Sequence, residues 1–102
     1  AMHSSVRAFL KAQAHPLKPI VMVGKGGLSE QVVQALDEAL TSHELVKVKF
    51  QAHKDEIRPI AESLAVQTGS DLVSIIGFIA TFYRESDEHL IRIPLELLAN
   101  NR

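Results

Sequence analysis

Cysteine is absent from the 102 residues. That excludes disulfides, thiolate metal sites and thiol nucleophiles, and it fits a reducing compartment such as the cytoplasm. Long apolar runs are absent as well, and nothing approaches the ~20 residues a membrane-spanning helix needs. The opening AMHSSVRAFLKAQAH is interrupted by His3, Arg7 and Lys11, unlike the apolar centre of a secretory signal. A strong net charge is also missing: −1 overall, with a pI near 6.6, argues against a uniformly basic nucleic-acid binder. Nor is there a catalytic constellation. Five histidines, at positions 3, 15, 43, 53 and 89, show no metal-ligand spacing. His43-Glu44 opens like a zinc-protease motif, but Lys47 holds the place of the second histidine and the segment reads as a strand. No serine has an evident base partner in the sequence pattern. Catalytic residues, metal ligands and cofactor are therefore expected to be none.

What remains is 46% hydrophobic and 23% charged, ordinary for a globular protein and too apolar for disorder. A chain of this length makes a single domain, residues 1–102, because two halves could not each bury a useful core. The near-neutral average hides a gradient. Residues 1–54 hold seven Lys/Arg against four Asp/Glu, whereas residues 55–102 hold four against eight. Such segregation can offer one face to a polyanion while the whole molecule stays close to neutral.

The periodicities predict an α/β sandwich of order α-β-α-β-α-β-β, with a mixed four-stranded sheet. Ser4 or Ser5 can cap a first helix carrying Val6, Phe9, Leu10 and Ala14, and Pro16 ends it. Ile20 to Val23 is apolar on both faces and reads as a buried strand. Ser29 is a good N-cap for a helix whose stripe is Val32, Val33, Leu36, Ala39 and Leu40, with Glu30 favourably placed in the first turn. Leu45 to Phe50 alternates, with Val46, Val48 and Phe50 inward and Leu45, Lys47 and Lys49 on the other face. A third helix opens near Asp55, carries Ile57, Ile60, Ala61, Leu64 and Ala65, and meets a left-handed cap at Gly69. Leu72–Ile76 and Phe78–Tyr83 are strands meeting at Gly77. Glu85 to Glu88 reads as a solvated acidic loop, His89–Ile93 as a short edge strand, and Pro94–Ala99 as a helical turn.

The informative stretch is VGKGGLSE, residues 23–30. A phosphate-binding P-loop fails there twice, since Pro19 stands where its first glycine belongs and Gly26 replaces its hydroxyl residue. A dinucleotide fingerprint would spend Ser29 as its third small residue, and too little sheet follows. What survives is Gly-x-x-Gly between a strand and a helix, the loop with which KH modules hold nucleic-acid backbone. Glycine leaves main-chain amides bare, the helix N-terminus adds partial positive charge, and Lys25 adds a full one. Lys47 and Lys49 on the next strand, Lys18 before the first strand, and the pair Tyr83-Arg84 could extend such a contact.

Several separated motifs resemble one family. Ala14-His15-Pro16-Leu17-Lys18-Pro19-Ile20-Val21, Gly24-Lys25-Gly26-Gly27-Leu28-Ser29, His43-Glu44-Leu45-Val46-Lys47-Val48, Thr68-Gly69, Ile76-Gly77 and Tyr83-Arg84 occur in the order of the CRM domain. The likeness runs over residues 10–84 and is closest to the bacterial stand-alone, YhbY-like members. It implies a KH-like RNA-binding fold, related to the C-terminal domain of bacterial translation initiation factor three, with no enzymatic activity. Bacterial members are associated with large-subunit precursors, so the resemblance implies ribosomal RNA as partner, a part in ribosome assembly and a cytoplasmic location. Carried over by position, it nominates Gly24, Lys25, Gly26 and Gly27 as the RNA-contacting loop, flanked by Lys18, Lys47, Lys49 and Arg84. Phe78 departs from the family, which often has a basic residue after Gly77. The acidic Glu85–Glu88 segment stands where a basic tail is common. An alternative use of the acidic half and the apolar Leu95-Glu96-Leu97-Leu98 end is docking a basic ribosomal protein without direct RNA contact.

Overall fold

The computed structural model describes residues 2–99 as four helices and a four-stranded mixed sheet. In chain order these are α1 (Ser4–Ala14), β1 (Val21–Val23), α2 (Glu30–His43), β2 (Leu45–Phe50), α3 (Ile57–Thr68), β3 (Asp71–Ile76), β4 (Ile79–Tyr83) and α4 (Leu95–Ala99). The strand order is β1-β2-β4-β3, with β1 parallel to β2 and the other pairs antiparallel. The lysine-bearing strand β2 is thus interior to the sheet, so its lysines do not guard an edge against strand addition.

Alternation along β2 sends Val46, Val48 and Phe50 to the face covered by α2 and α3. There they meet Leu36 and Leu40 of α2, Ile60 and Leu64 of α3, and Phe82 of β4 in the main core. Burying a side chain of this size contributes about 1.5–3 kcal/mol, so this layer supplies most of the driving force. The opposite face is covered only in part. Helix α1 sets Val6, Leu10 and Ala14 against Leu45, Val73 and Tyr83, leaving the far half of that face bare. Val73 lies against α1, and the register of β3 shifts between Leu72 and Ser74, so that Leu72 and Ile75 both pack on the main core. Carbonyls at the irregularity are met by Arg7, whose Nη1 donates to Leu72 O at 2.7 Å and Val73 O at 2.8 Å.

Some sequence expectations are corrected. Ile20–Val23 is not buried on both faces: β1 is an edge strand of three residues, with Val21 and Val23 inward but Ile20 and Met22 54% and 44% exposed. Helix α1 is capped not by Ser4 or Ser5 but by His3, whose Nδ1 accepts the Ser5 amide at 3.2 Å. Segment His89–Ile93 forms no strand, because its amides are drawn elsewhere. Leu90 N and Ile91 N donate to the carboxylate of Glu44, at 3.1 and 2.9 Å, and Ser86 donates to it through both its amide and its hydroxyl. Ser86 therefore belongs to a built structure rather than to a free acidic loop.

Glu44 joins α2 to β2 and is wholly buried. Its φ of 67° lies in the left-handed region, a conformation that costs an L-residue about 1–2 kcal/mol. Burial by itself pushes its carboxyl pKa up, but the hydrogen bonds from Ser86, Ile91 and Leu90 outweigh it and hold the pKa below the ordinary value. The nearby Tyr83 is pushed up to about 12 by burial and by the negative charges of Glu44, Glu85 and Asp71.

Candidate nucleic-acid interface

At the C-terminal end of β1 and β2, three loops form a continuous rim. The first is Gly24–Gly27. It turns back on itself through Gly27 N to Gly24 O at 3.0 Å, and then enters α2 through Ser29. The extended Ser29 (φ −138°) accepts the Val32 amide at 3.3 Å, fixing the helix start as its sequence predicts. The second loop, residues 51–56, is anchored by Gln51 N to Val23 O at 2.9 Å. The third is the Gly77-Phe78 turn of the β3–β4 hairpin, anchored by Phe50 N to Phe78 O at 2.8 Å.

The glycines of the first loop differ in what they do for the fold. Gly27 has φ +63°, and a Cβ there would stand 3.1 Å from His53 Nε2, so backbone conformation and packing both demand glycine. At Gly24 and Gly26 neither demand exists: φ is not left-handed, and an added Cβ would meet nothing within 4 Å. Among the described residues, the amides of Lys25 and Gly26 find no protein acceptor. Bare backbone, free donors and the exposed Lys25 side chain thus coincide at a helix N-terminus, an arrangement suited to an anion.

His53 holds this loop in place, and sequence reasoning missed it. Its Nε2 lies 2.8 Å from Lys25 O. A carbonyl only accepts, so Nε2 carries the proton, and Nδ1 faces Glu56 Oε2 at 3.9 Å. No spacing rule connects residues 25 and 53. The remaining signal was that loops following adjacent parallel strands emerge at the same end of a sheet. The next residue, Lys54, sets its ammonium 4.3 Å from the centroid of the Phe78 ring.

Below the rim, the uncovered sheet face carries one row across all four strands. The register aligns Met22 with Lys49, Lys49 with Ile79, and Ile79 with Ile76. Met22, Lys49 and Ile76 are exposed and Ile79 is half-buried. Along β2 the same face runs from buried Leu45 under α1, through half-buried Lys47, to exposed Lys49.

The residues nominated from sequence therefore fall into three places. Gly24, Lys25, Gly26 and Gly27 form the rim loop, and Lys49 lies beside it on the open face. Lys18 and Lys47 meet lower down at a groove by the α1–β1 connection, where Lys47 Nζ donates to Leu17 O at 3.1 Å and His15 O at 3.4 Å. Arg84 is not brought to the rim at all. It follows the strand end that pairs with Leu45, about 17–20 Å from the rim by strand length. Its guanidinium donates to Asp37 Oδ1 at 2.7 Å, Thr68 O at 2.7 Å, Asp37 O at 2.9 Å and Thr41 Oγ1 at 2.9 Å, tying β4 to α2 and to the end of α3.

Comparison with known proteins gives this geometry its relatives. An RNA-binding protein of Haemophilus influenzae is 39% identical over 89 residues, spanning 86% of this chain and 90% of its own length. A protein of Pseudomonas aeruginosa named a probable RNA-binding protein is 43% identical over 77 residues, 74% of each chain. A Bacillus subtilis protein of the same naming is 38% identical over 84 residues, 81% of this chain and 88% of its own. In three dimensions, a solution structure from Staphylococcus aureus, described as a candidate RNA-binding protein, superposes with a TM-score of 0.80 at 35% identity. It covers 92% of this chain and all (100%) of its own. Residues 2–84 match the CRS1/YhbY (CRM) domain from end to end of the sheet, including every strand and the loop at its rim. The chain belongs to the CRS1/YhbY (CRM) domain family.

Proposed function

We propose that this protein is a non-enzymatic, cytoplasmic RNA-binding domain that grips RNA backbone at Gly24–Gly27, with Lys25 and Lys49 as its principal charges. Its target is ribosomal RNA of large-subunit precursors, which it holds during assembly. The observation that carries the reading is the open space at Gly24 and Gly26. Folding does not require glycine at either position, whereas a phosphate approaching main-chain amides does. RNA as ligand is supported by the names of the relatives; the precursor target rests on the resemblance to bacterial stand-alone members. Lys18 and Lys47 add charge farther along the same side. Arg84 is assigned to holding the fold, since its guanidinium is already engaged.

Binding of a labelled ribosomal RNA fragment, followed by fluorescence anisotropy across a salt series, tests the contact. Affinity should fall with a log–log slope of about −0.7 to −0.9 per phosphate neutralised, and Lys25→Ala should flatten it by roughly one unit. A salt-independent interaction untouched by Lys25→Ala overturns the reading. Crosslinking in cells followed by sequencing tests the target, and recovery of RNA without enrichment of large-subunit precursors refutes that part. If a basic ribosomal protein is retained after all RNA is digested, docking through the acidic half replaces RNA contact.

A further inference from the structure

Phe78 is out of place for an aromatic side chain in this protein. Phe50 and Phe82 are fully buried, Tyr83 is 6% exposed and Phe9 is half-buried, yet Phe78 is 49% exposed. It is also held firmly. Gly77 at φ +59° makes the tight turn before it, and the Phe78 carbonyl accepts the Phe50 amide at 2.8 Å. The ring is therefore presented on a rigid hairpin, with little ordering cost left to meet on binding. It also has a charged neighbour. The ammonium of Lys54 lies 4.3 Å from the ring centroid, and His53, one residue earlier, touches the loop that carries Lys25. An exposed ring with one cation over it, on a rim continuous with a bare-backbone loop, has the chemistry of single-strand recognition: an aromatic face for a base and positive charge for its phosphates.

We infer that Phe78 is a base-stacking site, and that the rim consequently selects RNA with an unpaired nucleotide over continuous duplex. This rests on the proposed RNA contact and adds to it the class of RNA bound. A helical duplex keeps its base faces stacked on one another and offers none to Phe78, whereas a loop or single strand does. The charged contacts at Lys25 and Lys49 serve either form, so discrimination falls to the ring.

The test compares the wild-type protein with Phe78→Ala, Phe78→Leu, Phe78→Trp and Lys25→Ala on two probes, a 12-nucleotide mixed-sequence single strand and the blunt duplex of the same sequence. Phe78→Ala should weaken single-strand binding about tenfold or more with the salt slope unchanged, and leave duplex binding unaltered. Phe78→Trp should retain the affinity and Phe78→Leu should not, because stacking needs a π face rather than apolar area. Lys25→Ala should instead change the salt slope on both probes. Equal losses on both probes for Phe78→Ala, or full affinity in Phe78→Leu, overturn the stacking site while Lys25→Ala still reports RNA contact. Absence of salt-dependent binding by the wild-type protein to either probe overturns the contact itself. Because the ring is half in solvent, thermal melts of the Phe78 variants should match the wild type and exclude misfolding as the cause.

Discussion

Two alanine substitutions one residue apart should have opposite consequences. In Gly27→Ala the new residue must hold φ near +63°, which costs about 1–2 kcal/mol. A stiffer unfolded chain returns about 0.5 kcal/mol of that. The added Cβ, 3.1 Å from the His53 ring, also forces the imidazole back and strains its 2.8 Å bond to Lys25 O; losing such a bond costs about 1 kcal/mol. The net expectation is about 2 kcal/mol of destabilisation, or a fall in Tm of about 8–16 °C for a domain of this size. In Gly26→Ala none of these costs arises, so stability should stay within about 0.5 kcal/mol of wild type. Yet its methyl group stands on the surface a phosphate must approach, so RNA affinity should drop about tenfold. Urea and thermal denaturation read the first quantity, and anisotropy binding the second. A His53→Ala background should shrink the Gly27→Ala penalty, because the two share a contact. Equal melting temperatures for the two glycine variants would refute the packing argument. Unchanged RNA affinity in Gly26→Ala would refute the claim that its open space serves a ligand.

Other perturbations probe the rest of the structure. Glu44→Gln should cost about 2–3 kcal/mol at neutral pH, because buried amides lose a charged acceptor. The sign of the pH effect follows from its lowered pKa. Below the ordinary value of 4.5 the unfolded chain takes up a proton that the folded carboxylate still refuses. Stability is therefore lost as pH falls through that window, and the loss should be absent from Glu44→Gln in acid titrations followed by circular dichroism. Tyr83 is the single tyrosine, so phenolate absorbance reports it alone; ionisation should be delayed from near 10 toward about 12, and stability should decline across that interval as the unfolded chain ionises first. A midpoint near 10 in protein that remains folded would contradict the packing around it. Arg84→Ala should destabilise by about 2 kcal/mol while leaving the RNA affinity of the folded protein unchanged, with little rescue by Arg84→Lys, which lacks the planar fork. A loss of affinity at full stability would return Arg84 to the RNA contact.

The parts of this molecule legible in its sequence are those that local rules govern. Ser29 caps a helix because its hydroxyl reaches an amide three residues on, and β2 declares its two faces by alternation. Residue pairs far apart in the chain were not legible. Glu44 enters the sequence only within the His43-Glu44 motifs, since nothing near it in the chain announces the Ser86, Leu90 and Ile91 donors that meet its carboxylate. Those same donors undo the expected His89–Ile93 strand, whose apolar residues satisfied the pattern while its amides went elsewhere. Arg84 stood well in a list of basic residues, but sequence could not show that Asp37, Thr41 and Thr68 surround it. At the candidate site, Gly24–Gly27 and Lys49 were visible as letters. His53 and Lys54 were not, because their part depends on loops meeting at one end of the sheet.

Strand β2 carries a constraint that neither its valines nor its lysines have separately. Val46, Val48 and Phe50 hold the core together, while Lys47 and Lys49 alternate with them on the opposite side. A single inserted or deleted residue within it would exchange the two sets, driving lysines among Leu36, Leu40 and Phe82 and turning valines outward. The strand can therefore accept replacements on either side, but not a change in its length. Across homologous chains, gaps should gather in the connections before and after Leu45–Phe50, and the charge facing solvent should drift by substitution alone. The proposed contact surface is in this sense phase-locked to the hydrophobic interior, and variation in its length has to arise in the loops of the rim.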